Sequence, residues 1–374
     1  MDNKTKAIDT PFEKHDAYGS LSMPIYHTAA YEFNTAVDMA DAFTGRVIAP
    51  DYSRVMNPTV MYLEDKVKAL TNASNVVAFS SGMAAISNTM LALSATGKNI
   101  VTSRHMFGNT FSLITQSLKR FGVEARPCDL LNLDEVKSQM EVANLAELAA
   151  IAHEHHVPLV ADTTVIPFTQ FSAKNLGVDI EVVSSTKYLS GGATSLGGLA
   201  IDYGTTQGFG HRMKNEMLFN FGAYMTPHVA YMQSLGLETL DARYRVQSQN
   251  TLYLAEKLRT LPEVKRVNYV GLPDNPYHAI AKKQYGPTAG AMMTIDLESK
   301  EACFSMIDNL KLVRRATNLF DNKTLAIHPA STIFGTFTCG ERAAMDVLDT
   351  TVRISVGLED MDDVFSDIKQ ALKA

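Results

Sequence analysis

The sequence predicts an α/β protein with two lobes, a large one built on a mostly parallel sheet and a smaller C-terminal α+β lobe. Three observations predict it. Between residues 57 and 237, short apolar runs bounded by turn residues alternate with helical patterns, the texture of a sheet covered by helices. One run, Val157-Pro158-Leu159-Val160-Ala161, is apolar throughout, as a strand covered on both faces requires. The length, 374 residues, also exceeds the size at which a single core usually stops growing.

Residues 1–56 show little sustained periodicity and several Pro and Gly, so an extended N-terminal arm is expected there. In the large lobe, 57–237, strands are expected at Val76–Phe79, Asn99–Thr102, Pro158–Ala161, Asp179–Val183 and Leu196–Ile201. In the C-terminal lobe, 238–374, a long helix is expected over Glu238–Leu261 and strands over Gly290–Leu297 and Thr351–Val356. Met361, Val364, Phe365, Ile368 and Leu372 then recur at helical spacing behind an acidic start, so a helix closes the chain. No repeat or low-complexity tract interrupts this order.

Composition excludes several classes of function. Apolar residues make up 46% and charged residues 20%, ordinary for a globular protein. A net charge of −6 supplies no field for nucleic acid or an anionic membrane. Cys128, Cys303 and Cys339 lie far apart without a C-x-x-C pair, which fits buried structural thiols in a reducing compartment. The polar N-terminus has no apolar signal core, and no stretch is long enough to span a bilayer. A cytoplasmic protein is expected.

Three local patterns carry chemistry. Asn75-Val76-Val77-Ala78-Phe79 reads as a strand, and Ser80-Ser81-Gly82-Met83 turns into a helix. Backbone N–H groups at that helix start, with Gly for close approach and Ser hydroxyls as donors, form a phosphate cup, although helix capping alone explains a single such turn. Asp162, followed by Thr163 and Thr164, ends an apolar run where α/β folds place ligands. There it can hold a protonated ring nitrogen, or cap the next segment. Ser184-Ser185-Thr186-Lys187-Tyr188 follows the run Ile180–Val183 and precedes Gly191-Gly192-Ala193-Thr194. A lysine among small residues has room to meet an aldehyde, and desolvation keeps its amine neutral, whereas most lysines are merely solvated.

Taken together these residues are recognisable. The chain resembles the cysteine/methionine-metabolism pyridoxal-phosphate (PLP) enzymes: cystathionine synthases and lyases, methionine γ-lyases and O-acetylhomoserine sulfhydrylases. The matching stretches are Tyr52-Ser53-Arg54 with Asn57-Pro58-Thr59, Ser80 to Ala85, Asp162-Thr163-Thr164, Ser184 to Gly191, His328-Pro329-Ala330-Ser331 and Arg353 to Glu359, with Asp162 and Lys187 standing 25 positions apart. The resemblance implies a type I PLP-transferase fold, aspartate-aminotransferase-like. It implies that Lys187 carries PLP as a Schiff base and moves protons between substrate carbons, and that Asp162 pairs with the ring nitrogen. Ser81, Gly82, Met83, Ser184 and Thr186 would hold the phosphate, with Thr164 beside the cofactor. Tyr52 and Arg54 would reach the phosphate of a neighbouring copy, making the protein a homo-oligomer, dimer or tetramer, with shared sites. Arg353 would grip the substrate carboxylate, a bidentate task suited to guanidinium, with Asn318 beside it.

Within that family, Asn318 to Leu325 with His328 to Thr332, and Gly192 to Gly198, are most similar to the sulfhydrylase pattern. Such an enzyme eliminates the γ-acyloxy group of an O-acylhomoserine and adds sulfide or a thiol. A methionine or cystathionine γ-lyase shares the early steps and is the second reading. Two departures matter. Phe107-Gly108 stands where relatives carry Tyr-Gly, so the ring can stack on the cofactor but has no proton to give. That loss hurts a thiolate leaving group more than acetate. Between Leu133–Met140 and a helix expected from Val142, about twenty residues of the family, including one strand, are missing near 138–142. Each backbone group left buried and unpaired there costs about 1–3 kcal/mol. A third reading follows, a PLP-binding paralogue with impaired catalysis.

No metal is expected. His153, His155 and His156 lack a nearby carboxylate or thiol set, and a helix C-terminus, which favours partial positive charge, accounts for them. The 18 methionines at helical spacing are core filler. Asp129 and the acidic stretch Glu359–Asp363 read as caps or solvated faces.

Overall fold

The computed structural model describes residues 2–12, 18–128 and 144–374. In chain order its strands are β1 (Asn75–Phe79), β2 (Asn99–Ser103), β3 (Glu124–Cys128), β4 (Val160–Asp162), β5 (Ile180–Val183) and β6 (Gly198–Asp202). There follow β7 (Arg266–Asn268), β8 (Met292–Asp296), β9 (Arg314–Arg315), β10 (Leu325–Ile327) and β11 (Thr351–Ser355). They belong to two compact units. One comprises the described residues of Met1–Leu93, Ala149–Thr164 and Ser172–Thr239, the other those of Ser94–Leu148, Val165–Phe171 and Leu240–Ala374.

The first unit is organised by one sheet, ordered β1-β6-β5-β4. β6 runs antiparallel to β1 and β5, while β4 is parallel to β5. Three of the four strands therefore point the same way. The carboxyl ends of β1, β4 and β5 meet the start of β6 at one edge, as the pairs Phe79↔Gly198 and Val183↔Leu199 require. β5 and β6 are buried at every position, as their apolar runs predict. Val77, Phe79, Ile180 and Ala200 pack with Ala85, Phe209, Met213 and Leu218 into a core. On β1 the outer Ala78 N–H is answered by Glu64 of the helix Pro58–Thr71, at 2.9 Å. Burial raises the Glu64 carboxyl, against the pull of Lys214 and of that N–H.

In the second unit β2 and β3 pair in parallel. A separate five-stranded sheet has the order β7-β8-β11-β10-β9, with β11 central and antiparallel to β8 and β10. Leu254, Leu258, Met306, Val364 and Ile368, from the helices Leu240–Leu258, Lys300–Asn309 and Met361–Ala371, cover one face of it with Ile295, Val352 and Ile354. The closing helix is the one its spacing predicts, capped by Asp360.

The structure differs from expectation in four places. The arm is not wholly extended: Asn3–Ile8 and Ala36–Phe43 are helical, started by the side chains of Asp2 and Thr35, local caps that periodicity does not register. The expected helix Glu238–Leu261 is present as Leu240–Leu258, but a helix just before it, Pro227–Glu238, is not among the expected elements, although Thr226-Pro227 marks its start. β3, with Glu, Arg and Pro, has no apolar run to announce it. Of the three cysteines only Cys303 is buried; Cys128 is half-buried and Cys339 exposed. Asp129, the expected helix Leu133–Met140 and the break near 138–142 lie outside the described residues.

Asp367, on the closing helix, accepts hydrogen bonds from the main chain of Lys311 at 2.9 Å and of Leu312 and Val313 at 2.8 Å. Burial pushes its carboxyl up, but these three N–H groups outweigh burial and hold it below the usual range. A depressed folded pKa contributes stability above the unfolded value of about 3.9, lost as pH falls through the folded value. Asp367→Asn should therefore lower the urea midpoint at neutral pH, by about 1–3 kcal/mol in free energy, and flatten its decline below about pH 4. An unchanged acid limb would refute this account.

Candidate active site

The turn after β1 begins with Ser80, whose N–H bonds the Ala223 carbonyl at 2.9 Å. Ser81 then caps the helix Gly82–Leu93, its hydroxyl accepting from Ala84 N–H at 3.1 Å. Position 82 must be glycine because a Cβ there would lie 2.6 Å from Cβ and 2.8 Å from Oγ of Ser184. Position 198 is tighter still, since a Cβ would meet the Ser81 carbonyl oxygen at 2.2 Å. The ends of β1 and β5 and the start of β6 thus close on one small turn. Its helix-start N–H groups, with the half-buried Ser81 and Ser184 beside them, have the chemistry of an anion cup.

Alternation along β4 and β5 decides which residues share a face. The register pairs Ala161 with Glu181 and Asp162 with Val182. Asp162 and Thr164 therefore point to one side, Thr163 and Glu181 to the other. On the first side, the Thr164 hydroxyl donates to Asp162 Oδ1 at 2.6 Å, Thr164 N–H donates to the same oxygen at 3.0 Å, and Ser184 N–H donates to Thr164 Oγ1 at 2.8 Å. A chain of hydrogen bonds so joins Asp162 to the Ser81–Ser184 cup. Asp162 reaches solvent, yet the protein crowding it raises its carboxyl by desolvation, against the two bonds from Thr164. It forms no ion pair among the described residues. A solvent-accessible carboxylate with no cation of its own fits the positive ring nitrogen of PLP, as the cup fits its phosphate.

Lys187 follows β5 by four residues and is half-buried. Its N–H donates to the Ser184 carbonyl at 3.2 Å, and a single 3₁₀ turn, Tyr188–Ser190, follows. The helix Pro227–Glu238 packs hard on that turn, for a Cβ on Gly236 would sit 1.9 Å from the Leu189 carbonyl oxygen. Thr186 is committed elsewhere: its hydroxyl donates to Gly197 O at 3.2 Å and accepts from Gly197 N–H at 3.0 Å. Met83, behind Gly82, is half-buried. Arg54 lies over the rings of Tyr52 and Phe219, 5.4 Å from each, and donates to the Phe219 carbonyl of its own chain.

The other three predicted residues belong to the second unit. Phe107 is half exposed and precedes the short helix Gly108–Ser112. Arg353 is central on β11, paired with Thr294 and Ile327, and Asn318 lends it a carbonyl at 3.3 Å. Arg353 forms no ion pair among the described residues, and burial pushes its pKa down to about 10, so it remains a cation at neutral pH. A desolvated guanidinium without an acid is a receptor for a carboxylate. Of the three histidines, His153 bonds Asp179 at 2.9 Å, at the end of the helix Leu145–Glu154.

Sequence reasoning gave no role of its own to Thr163 or Gly198 and missed Glu181, Tyr203 and Gly236. A lone carboxylate inside the run Ile180–Val183 was a signal for Glu181.

Three comparisons bear on this geometry. Residues 4–373 match the family described as Cys/Met metabolism PLP-dependent enzyme. An L-methionine gamma-lyase of Fusobacterium nucleatum subsp. polymorphum is 36% identical over 95% of this chain and 94% of its own. That alignment runs over 377 positions, more than the whole of this chain, so the relative has residues with no counterpart here. An O-succinylhomoserine sulfhydrylase of Pseudomonas aeruginosa is 34% identical, covering 95% of this chain and 92% of its own. A crystal structure described as an O-acetylhomoserine (thiol)-lyase of Campylobacter jejuni superposes with a TM-score of 0.95 at 29% identity, covering 100% of both chains. It contains a lysine bearing pyridoxyl phosphate.

Proposed function

The chain belongs to the Cys/Met metabolism PLP-dependent enzyme family, and from that premise we propose that it exchanges the γ-acyl group of an O-acylhomoserine for sulfide or a thiol, with Lys187 carrying the cofactor. The observation behind the assignment of Lys187 is the convergence, at one edge of one sheet, of the Ser81–Gly82 turn, the Asp162–Thr164–Ser184 chain and the β5 end that leads into Lys187. When bound, the cofactor supplies an electron sink for carbanion equivalents at the substrate's Cα and Cβ. Asp162 holds the proton on the ring nitrogen. The N–H groups at Gly82 and Met83, with Ser81 and Ser184, hold the phosphate, while the Thr186 hydroxyl stays on Gly197. Lys187 Nζ removes and returns protons at the substrate carbons. Arg353 and Asn318 take the substrate carboxylate. In a homo-oligomer, Tyr52 and Arg54 turn from their own chain to the phosphate of a second copy, carried there by the arm, 1–56.

Phe107 favours replacement over elimination. It has no proton for a thiolate, and an acyloxy group leaves without one. Relatives named for γ-lyase and for sulfhydrylase activity both match over most of the chain, so elimination from methionine or cystathionine is the second reading. Homocysteine from O-acetylhomoserine plus sulfide supports the first; α-ketobutyrate from methionine without added thiol supports the second. The comparisons lend no support to an impaired paralogue. We read the protein as cytoplasmic; no helix among the described residues is long and apolar enough to cross a membrane.

Arg353→Lys should raise the KM for the amino-acid substrate about 10- to 100-fold, the equivalent of a charge-assisted bond worth about 1.5–3 kcal/mol. Because the native guanidinium is desolvated and lacks an acid, the urea midpoint should not fall with it. An unaltered KM would remove Arg353 from the site.

A further inference from the structure

We propose that Glu181 is a positioning residue that acts through Asp162, from the opposite face of the same two strands, to keep a proton on the cofactor's ring nitrogen. This rests on the reading of Asp162 as the partner of that nitrogen.

Glu181 is fully buried on β5, and both of its oxygens are held. Thr163 bonds Oε1, and the Tyr203 hydroxyl bonds Oε2 at 2.5 Å. In the second of these bonds the phenol is the donor, so its hydrogen points at Glu181. No Lys or Arg side chain pairs with Glu181 among the described residues. A carboxylate enclosed in this way costs folding free energy that an apolar residue at the same strand position would avoid. Its neighbours β4 and β6 bring no cationic side chain that would call for an acid at this position.

The place of Glu181 supplies the reason. β4 and β5 are paired so that Glu181 opposes Ala161, one residue from Asp162. Thr163, which bonds Glu181, lies between Asp162 and Thr164, which bond each other on the other face. The two carboxylates repel across the strand pair. Asp162 raises the Glu181 carboxyl, after the larger effect of burial and against the two hydroxyl bonds. The pair carries two acids and no cation. A protonated pyridine nitrogen docked on Asp162 is the cation the pair lacks, and in low dielectric the field of Glu181 holds its proton more firmly. Both Glu181 oxygens accept from hydroxyls, the acceptor-only pattern of an ionised carboxyl, and these bonds work against the larger effect of burial.

The test is nitrogen-15 NMR of the holoenzyme reconstituted with ring-labelled PLP, read as a function of pH. Glu181→Gln, which preserves the shape but offers a single acceptor oxygen to the two donating hydroxyls, should lower the ring nitrogen's proton affinity about tenfold, one pKa unit. Tyr203→Phe should act in the same direction, because Glu181 with one donor fewer takes up a proton itself. It carries the test if Glu181→Gln fails to fold. Asp162→Asn is the reference and should shift the resonance most. Steady-state kinetics should show kcat falling with KM unchanged in the Glu181 variant. Wild-type ring titration in both Glu181→Gln and Tyr203→Phe, beside a shifted Asp162→Asn, overturns the role of Glu181 alone. Wild-type titration in all three overturns the reading of Asp162 and this inference together.

Discussion

Lys187→Ala is expected to lose turnover on O-acetylhomoserine and on methionine alike. Proton transfer by one positioned side chain is worth about 10²–10⁴-fold, so the fall should be at least of that order, with loss of the covalent attachment added to it. The protein should still fold, since main-chain hydrogen bonds, to the Ser184 carbonyl and from Ser190, tie residue 187 into the turn Tyr188–Ser190, and alanine keeps them. Borohydride reduction of the wild-type holoenzyme, followed by mass mapping, should place the pyridoxyl group on the peptide containing Lys187. The variant should bind PLP without becoming labelled. A label on another lysine, or undiminished turnover by Lys187→Ala, would sink the assignment.

Gly198→Ala is expected to damage both the fold and the cofactor site. The added Cβ falls 2.2 Å from the Ser81 carbonyl oxygen, 2.6 Å from its carbon and 2.9 Å from Gly82 Cα. All of these are main-chain atoms, so no rotamer change relieves the clash. β6 cannot retreat, because β1 and β5 bond it on its two sides. Overpacking of this kind costs about 1–3 kcal/mol and sometimes more. The Ser81–Gly82 turn must also shift, so PLP affinity should fall by at least about tenfold, an energy within that range. Gly340→Ala is the control, since its Cβ meets nothing within 4 Å in the helix Cys339–Ala344. Equal urea midpoints and equal PLP affinities for the two variants would show that β6 yields where the geometry says it cannot.

Legibility in the sequence follows how local each signal is. The Ser81-Gly82, Asp162-Thr163-Thr164 and Ser184 to Lys187 segments each stand where an apolar strand gives way to small polar residues, and that change of texture is written in consecutive positions. Thr186 shows the limit: its hydroxyl is spent on Gly197, eleven residues further on, in a turn that its neighbours do not announce. Arg54 is similar, held in this chain by the carbonyl and ring of Phe219, far along the sequence. The helix Pro227–Glu238 went unread because its apolar residues mark no single face, and only the Thr226-Pro227 pair signals its start.

From its residues alone the chain determined an α/β class, the strand ends that matter, and the lysine, aspartate and serine positions proposed to hold a phosphorylated pyridine. Strand periodicity and turn chemistry are encoded within a few consecutive positions. Only the tertiary structure decided that Glu181 stands behind Asp162 and that Gly198 and Gly236 are shut against main-chain carbonyls. Those relations arise from strand register and helix packing, which bring together residues that no local pattern connects.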